Sequence, residues 1–206
     1  MKEIQTVSDN IRNLLGEGVV WDAGGRLLLW TDIEQSELWT LDSSSEIKVA
    51  KAPERIASFA PCETGGIIVA FASGFAFWDP KTGQRQDIEK FEAHLPTTRL
   101  NDGGTDRQGR FLAGGFDEKG GKPISSLRRL SRVVRYTPTG RIDRVVEMPT
   151  RKPTCVAFGG AKLDTLYITT ARYLMQPHEL EAEPLAGALF AVSPGVTGLA
   201  SEKFVA

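Results

Sequence analysis

Glu17 is a carboxylate set between two glycines, Gly16 and Gly18, directly ahead of the apolar run Val19-Val20-Trp21. Glycine on both sides lets the backbone turn tightly and keeps neighbouring side chains away. An acid in that setting can hold a hard cation through its oxygens. On spacing alone, however, the plainer reading is a surface charge in a Gly-rich turn. Arg99 and Asn101 stand two residues apart, and extended backbone points such a pair to one face. A guanidinium and an amide on one face could serve substrate recognition. The plain alternative is a loop arginine and a turn-forming asparagine ahead of Asp102-Gly103. Asp102 and Asp106 fit hairpin and Asx-turn chemistry better than metal or proton chemistry. His94 and His178 are isolated and are expected at surface or loop positions. Cys62 and Cys155, the two cysteines of the chain, read as reduced, half-buried thiols of a cytoplasmic protein.

Elements that could position these groups show as a repeat. Four stretches share a small or apolar lead-in, a polar turn rich in Gly and Asp, and an apolar strand: 19–33, 57–73, 100–116 and 154–171. Gly24-Gly25, Gly65-Gly66 and Gln108-Gly109 supply turn residues for tight hairpins. A second pattern of strand, turn and strand follows at 37–52, 74–91, 131–148 and 187–204, with Pro80, Pro138 and Pro194 just past strands. Joined, the patterns make four units of four strands, each unit roughly 40 to 50 residues long, which is the sequence signature of a β-propeller. Helical periodicity is nearly absent, with one turn of helix expected in 176–187. Trp21, Trp30, Trp39 and Trp78 fall at strand positions and are expected in the core.

Bulk properties set the outer bounds. The 206 residues suit one domain spanning 1–206. A hydrophobic content of 41%, a charged content of 25% and a formal net charge of −1 are ordinary globular values and argue for neither nucleic acid nor membrane as a partner. The sequence shows no apolar run of about 18 residues and no signal-like start, so a cytoplasmic location is expected. The segment 119–135 carries Lys119, Lys122, Arg128, Arg129, Arg132 and Arg135 without an acid. With no interleaved aromatic before Tyr136 it reads as a solvated junction rather than a nucleic-acid patch.

The segments LGEGVVWD, RLNDGGTDRQGRFLAGGFDE, PTCVAFGGAKLDTLYITTAR and GALFAVSPGVTGL, taken in that order, resemble the sugar-lactonase family that includes gluconolactonases and regucalcin (senescence marker protein). The resemblance implies an all-β, six-bladed propeller with a divalent metal at the top of its central channel, assisting hydrolysis of a sugar lactone. By position it makes Glu17 a metal ligand and Arg99 and Asn101 substrate-binding residues. It also makes Glu118, close after AGGF beside Asp117, an acidic group that reaches substrate. The family's Asn and Asp ligands, in PNG and PDG motifs, have no counterpart, and the Asp is also the favoured general base. The catalytic base is therefore unassigned. Two strand-like pieces in tandem, SSLRRL and SRVVRY, mark a junction near 119–136 where about two blades are missing, leaving a propeller of about four. The expected function is a sugar-lactone hydrolase whose divalent metal (Ca²⁺, Mn²⁺, Zn²⁺ or Mg²⁺) is weakly held or lost, with a small sugar lactone as partner. The alternative is a non-catalytic propeller fragment binding a sugar or a protein. A chain left by an internally deleted gene, with an unclosed ring and marginal stability, is the third expectation.

Overall fold

The computed structural model describes residues 4–90, 97–118, 132–136 and 142–205. Among these it is built almost entirely of antiparallel strands. β1 (Gln5–Thr6) leads into β2 (Gly16–Asp22), β3 (Leu27–Asp32), β4 (Glu37–Leu41) and β5 (Ile47–Lys51). β6 (Ile56–Pro61), β7 (Ile67–Phe71), β8 (Gly74–Trp78) and β9 (Arg85–Lys90) repeat the pattern. β10 (Thr98–Thr105) and β11 (Phe111–Asp117) form a hairpin, as do β12 (Arg132–Tyr136) and β13 (Ile142–Glu147). β14 (Pro153–Gly159), β15 (Thr165–Thr170), the short helix α1 (Pro177–Ala182) and β16 (Phe190–Val192) complete the chain.

Local chemistry explains these elements. β7 is apolar and buried at every position because sheets cover both its faces. The last strands of the first two sheets, β5 and β9, are rich in charge and mostly exposed, and lysines at Lys48, Lys51 and Lys90 blunt edges that would otherwise recruit another strand. The connecting turns are closed by aspartates. Asp42, Asp79 and Asp106 each accept the backbone N–H two residues on, at 2.8, 2.9 and 2.9 Å. Asp106 therefore has the Asx-turn role expected from sequence.

Three four-stranded sheets result, β2–β5, β6–β9 and β14-β15-β16-β1. They stand as blades around a central channel, with the first strand of each innermost: β14 packs on β2, β2 on β6 and β6 on β10. The cores lie between blades. Leu29, Leu38, Ile56, Phe59, Val69, Phe71 and Trp78 fill one such interface. Ile11, Val19, Trp21, Leu28, Trp30 and Leu189 fill the next. Trp30 stacks on Trp39 at 5.7 Å and donates its indole N–H to Asn13 Oδ1 at 2.9 Å.

The structure departs from the sequence reading in two places. The last blade takes its fourth strand from the N-terminus, Gln5 pairing with Ala191 and Thr6 with Phe190, rather than from residues after Pro194. Those residues run instead across the channel end that carries the turn after β2. The third unit is not one sheet among the described residues. β10–β11 packs on β6 and β7, whereas Val146 and Met148, at and just past the end of β13, join Leu166, Ile168 and Phe190 in the core of the last blade. Each hairpin is held by a different neighbour, so burial keeps them apart. β10 and β14 share no comparable packing among the described residues, and Leu112 and Val156 remain 59% and 45% exposed there. His94, SSLRRL and the basic run from Lys119 to Arg129 lie outside the described residues.

Candidate functional site

Inner strands begin at one end of the channel, and the chemistry collects there. Glu17 is the second residue of β2, at a register break between Glu17 and Val20 in the pairing with β3. Gly18 takes φ 57° to make that break, a left-handed conformation that favours glycine. Gly16 is needed for a different reason: a Cβ there would meet the Thr170 carbonyl oxygen at 2.9 Å. Glu17 is thus part of a strand, not of a surface turn, and is partly buried. Its carboxylate accepts the Gly18 N–H at 3.4 Å. Burial pushes its pKa up to about 7, with the charge of Asp102 on β10 adding to the rise. Cys155 on β14 lies within the same field: burial first, then the Glu17 charge, pushes its thiol up. Three inner strands therefore bring Glu17, Asp102 and Cys155 towards one another.

The other expected site residues form a hydrogen-bonded chain. Arg99 is buried and donates from Nη1 to Asn101 Oδ1 at 2.7 Å and to the Leu100 carbonyl at 3.0 Å. From Nε it donates to Glu118 Oε1 at 3.0 Å. Glu118, just past β11, also accepts both Nη groups of Arg55, at 2.7 and 2.9 Å. Those hydrogen bonds hold its carboxyl down at about 2, Arg55 contributing most and Arg99 next. Arg55 directly precedes the wholly buried strand β6, and the sequence reading did not single it out.

Asn101 Oδ1 is occupied by Arg99, which orients the amide and leaves its N–H₂ to donate to a ligand oxygen. Glu118, with a side chain 37% exposed, can accept hydroxyl protons beyond those of the two arginines. The cluster offers matched donors and acceptors to a polyhydroxylated ring. A cleft of about 800 Å³ between the first two blades, lined by Leu27, Leu29, Leu38 and Val49, shares no residue with it.

The donors at Glu17 are too few to hold a divalent cation tightly. Among the described residues no three His, Cys, Asp or Glu side chains converge on one point, and the Asn101 carbonyl is turned to Arg99. Hard divalent ions favour several oxygen ligands at once, and Glu17 with Asp102 falls short of that. Of the remaining candidates, His178 is exposed on α1, Cys62 is buried and Cys155 is partly buried, both thiols free. Trp21, Trp30 and Trp78 are buried in the inter-blade cores.

Comparison with known proteins accounts for both the geometry and its gap. The profile of the SMP-30/Gluconolactonase/LRE-like region matches residues 15–131 and again 117–172. The two matches overlap at the expected junction. L-arabinolactonase of Azospirillum brasilense is 26% identical over 287 aligned positions, covering 97% of this chain and 95% of that protein. The 6-deoxy-6-sulfogluconolactonase of Pseudomonas putida is 26% identical over 277, covering 93% and 95%. An alignment of 287 positions to 97% of 206 residues, about 200, leaves about 87 positions where this chain has none, close to two blades at roughly 40 to 50 residues each. The crystal structure of a calcium-binding protein, regucalcin from Agrobacterium tumefaciens, superposes with a TM-score of 0.87 at 19% identity, covering 97% of this chain and 96% of that one. With its ordered motifs, blade topology and matched profile, the chain belongs to the SMP-30/gluconolactonase/LRE-like family as a propeller shortened in the middle.

Proposed function

We propose that this chain binds a sugar lactone at the channel mouth and hydrolyses it with a reduced metal site. The observation that carries this reading is the hydrogen-bonded chain from Arg55 through Glu118 and Arg99 to Asn101. It places two cations, a carboxylate and an oriented amide at the same end of the channel as Glu17. The family includes sugar lactonases, and the two whole-length relatives are named for sugar-lactone substrates.

In hydrolysis, water adds at the lactone carbonyl carbon, the ring C–O bond breaks, and a proton goes to the leaving ring oxygen to give the aldonic acid. The Asn101 N–H₂ and the Arg99 guanidinium are the donors for oxygens of the ligand. Glu118 accepts from ring hydroxyls and fixes which face of the ring is presented. Holding the lactone in one pose is the contribution these residues make. A cation held by Glu17 would polarise the carbonyl and acidify water. Glu17 alone would hold one only at about millimolar levels, so we assign this chain slow, metal-stimulated turnover.

Purified protein is expected to accelerate D-glucono-1,5-lactone hydrolysis above the spontaneous rate in excess Mn²⁺, Ca²⁺, Zn²⁺ or Mg²⁺. Asn101→Ala should lower that increment by about 10- to 100-fold, and Glu17→Ala should abolish its metal dependence. A rate indistinguishable from buffer under every metal would refute hydrolysis. The lack of a three-donor cluster among the described residues favours a second reading, a lactone-binding module without turnover. Turnover separates the two: D-glucono-1,5-lactone hydrolysis above the spontaneous rate in excess metal counts against the second.

A further inference from the structure

We propose that Arg55 is the positioning residue of the lactone site: it anchors Glu118 from the neighbouring blade and thereby sets Arg99 and Asn101 for substrate recognition. The inference rests on the lactone reading above and adds a residue to it.

Arg55 enters from β6 and Glu118 from the end of β11, so their contact crosses from one blade to the next. It is a two-pronged contact, Nη1 to Oε1 at 2.7 Å and Nη2 to Oε2 at 2.9 Å. A planar fork of this kind fixes the plane of the carboxylate as well as its position. With Glu118 fixed, its Oε1 is also where Arg99 Nε lands, at 3.0 Å. That bond turns the Arg99 plane so that Nη1 reaches Asn101 Oδ1 at 2.7 Å, which decides the side of the Asn101 amide that can donate. Removing Arg55 releases the first member of the series and loosens each later one. Glu34 lies 3.7 Å from Arg55 Nη1 and is a second carboxylate against the same guanidinium. It restrains Arg55 without competing for Glu118. The Glu118 side chain is 37% exposed and that of Arg55 is 30% exposed. Packing does not hold them in place, and the hydrogen bonds must. β10–β11 has no outer strands bonded to it among the described residues, so a tie from Arg55 back to β6 is worth more to this chain than to a complete blade.

The test pairs the titration of Glu118, followed by side-chain ¹³C NMR, with lactone kinetics on the full chain. In Arg55→Gln the Glu118 carboxyl is expected to move up from about 2 towards its ordinary range. The KM for D-glucono-1,5-lactone is expected to rise about tenfold with kcat within about twofold. Arg55→Lys keeps the charge but not the fork. It should leave Glu118 low and recover part of the KM. Should Arg55→Gln fail to fold, the lysine variant decides through its KM, which must lie above that of the wild type. A Glu118 titration unchanged in Arg55→Gln, or a KM within twofold of the wild type, overturns the proposal. A wild type that hydrolyses no lactone overturns the lactone reading instead. The NMR titration, with the Arg99 Nε–H signal as its companion, then decides the role of Arg55 by itself.

Discussion

Burying the Glu17 carboxylate costs the fold stability at neutral pH. Its pKa in the folded chain is raised to about 7 from an ordinary 4.5, chiefly by burial. The folded state therefore prefers the neutral acid, and stability falls as pH rises through that interval. Glu17→Gln keeps the shape and removes the charge, so at pH 8 it should stabilise the protein by about 2 kcal/mol, and below pH 4.5 by little. Urea unfolding of both proteins at the two pH values checks this. Glu118 behaves in the opposite sense. Its carboxyl is lowered to about 2 by Arg55 and Arg99, so its contribution is present above pH 4.5 and disappears as pH falls towards 2. Glu118→Gln should flatten that acid limb of the stability–pH curve and lower the plateau above pH 4.5, where the contribution is fully present. Glu17, Arg99, Asn101 and Glu118 were picked out in the sequence by short motifs, and the site roles of these four are proposals. Arg55 was not picked out, because its role comes from a carboxylate 63 positions away and no local pattern announces such a pair.

At the scale of elements, the shortest strand closes a blade. β1 contributes Gln5 and Thr6 to the edge of β16, and the Val7 N–H donates to the Leu189 carbonyl at 2.9 Å. Deleting residues 1–7 should expose the Phe190 strand edge and lower the melting temperature by roughly 5 °C or more, as read by circular dichroism. Two residues carry no periodicity, so this strand could not be found from pattern. Longer strands could, because β8 buries Gly74, Ala76 and Trp78 in strict alternation and β7 is apolar throughout. The same limit explains the third unit. Each of its four strands was predicted, yet β10–β11 and β12–β13 form separate sheets among the described residues. Pairing between strands depends on which neighbour buries them, and Val146 finds its partners in the last blade.

Across the whole molecule, the C-terminal residues do work that ring closure performs elsewhere. The Gly198 N–H donates to the Leu163 carbonyl at 2.8 Å, and Lys203 Nζ pairs with Asp22 at 2.8 Å. The Phe204 N–H reaches the Pro61 carbonyl at 2.9 Å and the Val205 N–H the Gly109 carbonyl at 3.0 Å. One strand of backbone thus ties the turns of four inner hairpins, at the end of the channel opposite Glu17. Truncation after Thr197 should lower the melting temperature more than the Lys203→Ala change does, and should promote aggregation through the exposed Leu112 and Val156 surface. Light scattering during a thermal ramp tests both expectations. A truncated chain melting like the full one would show that the strap contributes nothing to holding the blades.

The amino-acid sequence alone determined the all-β class, the four-strand repeat and the family. These depend on local spacing: alternation within strands, Asp and Gly in turns, and short motifs around Glu17, Arg99 and Asn101. Tertiary structure alone decided that Gln5–Thr6 closes the last blade, that the shortened region divides between two neighbours, and that Arg55 holds Glu118. Each of these is a contact between residues far apart in the chain, and burial and charge select such partners only once the blades stand side by side.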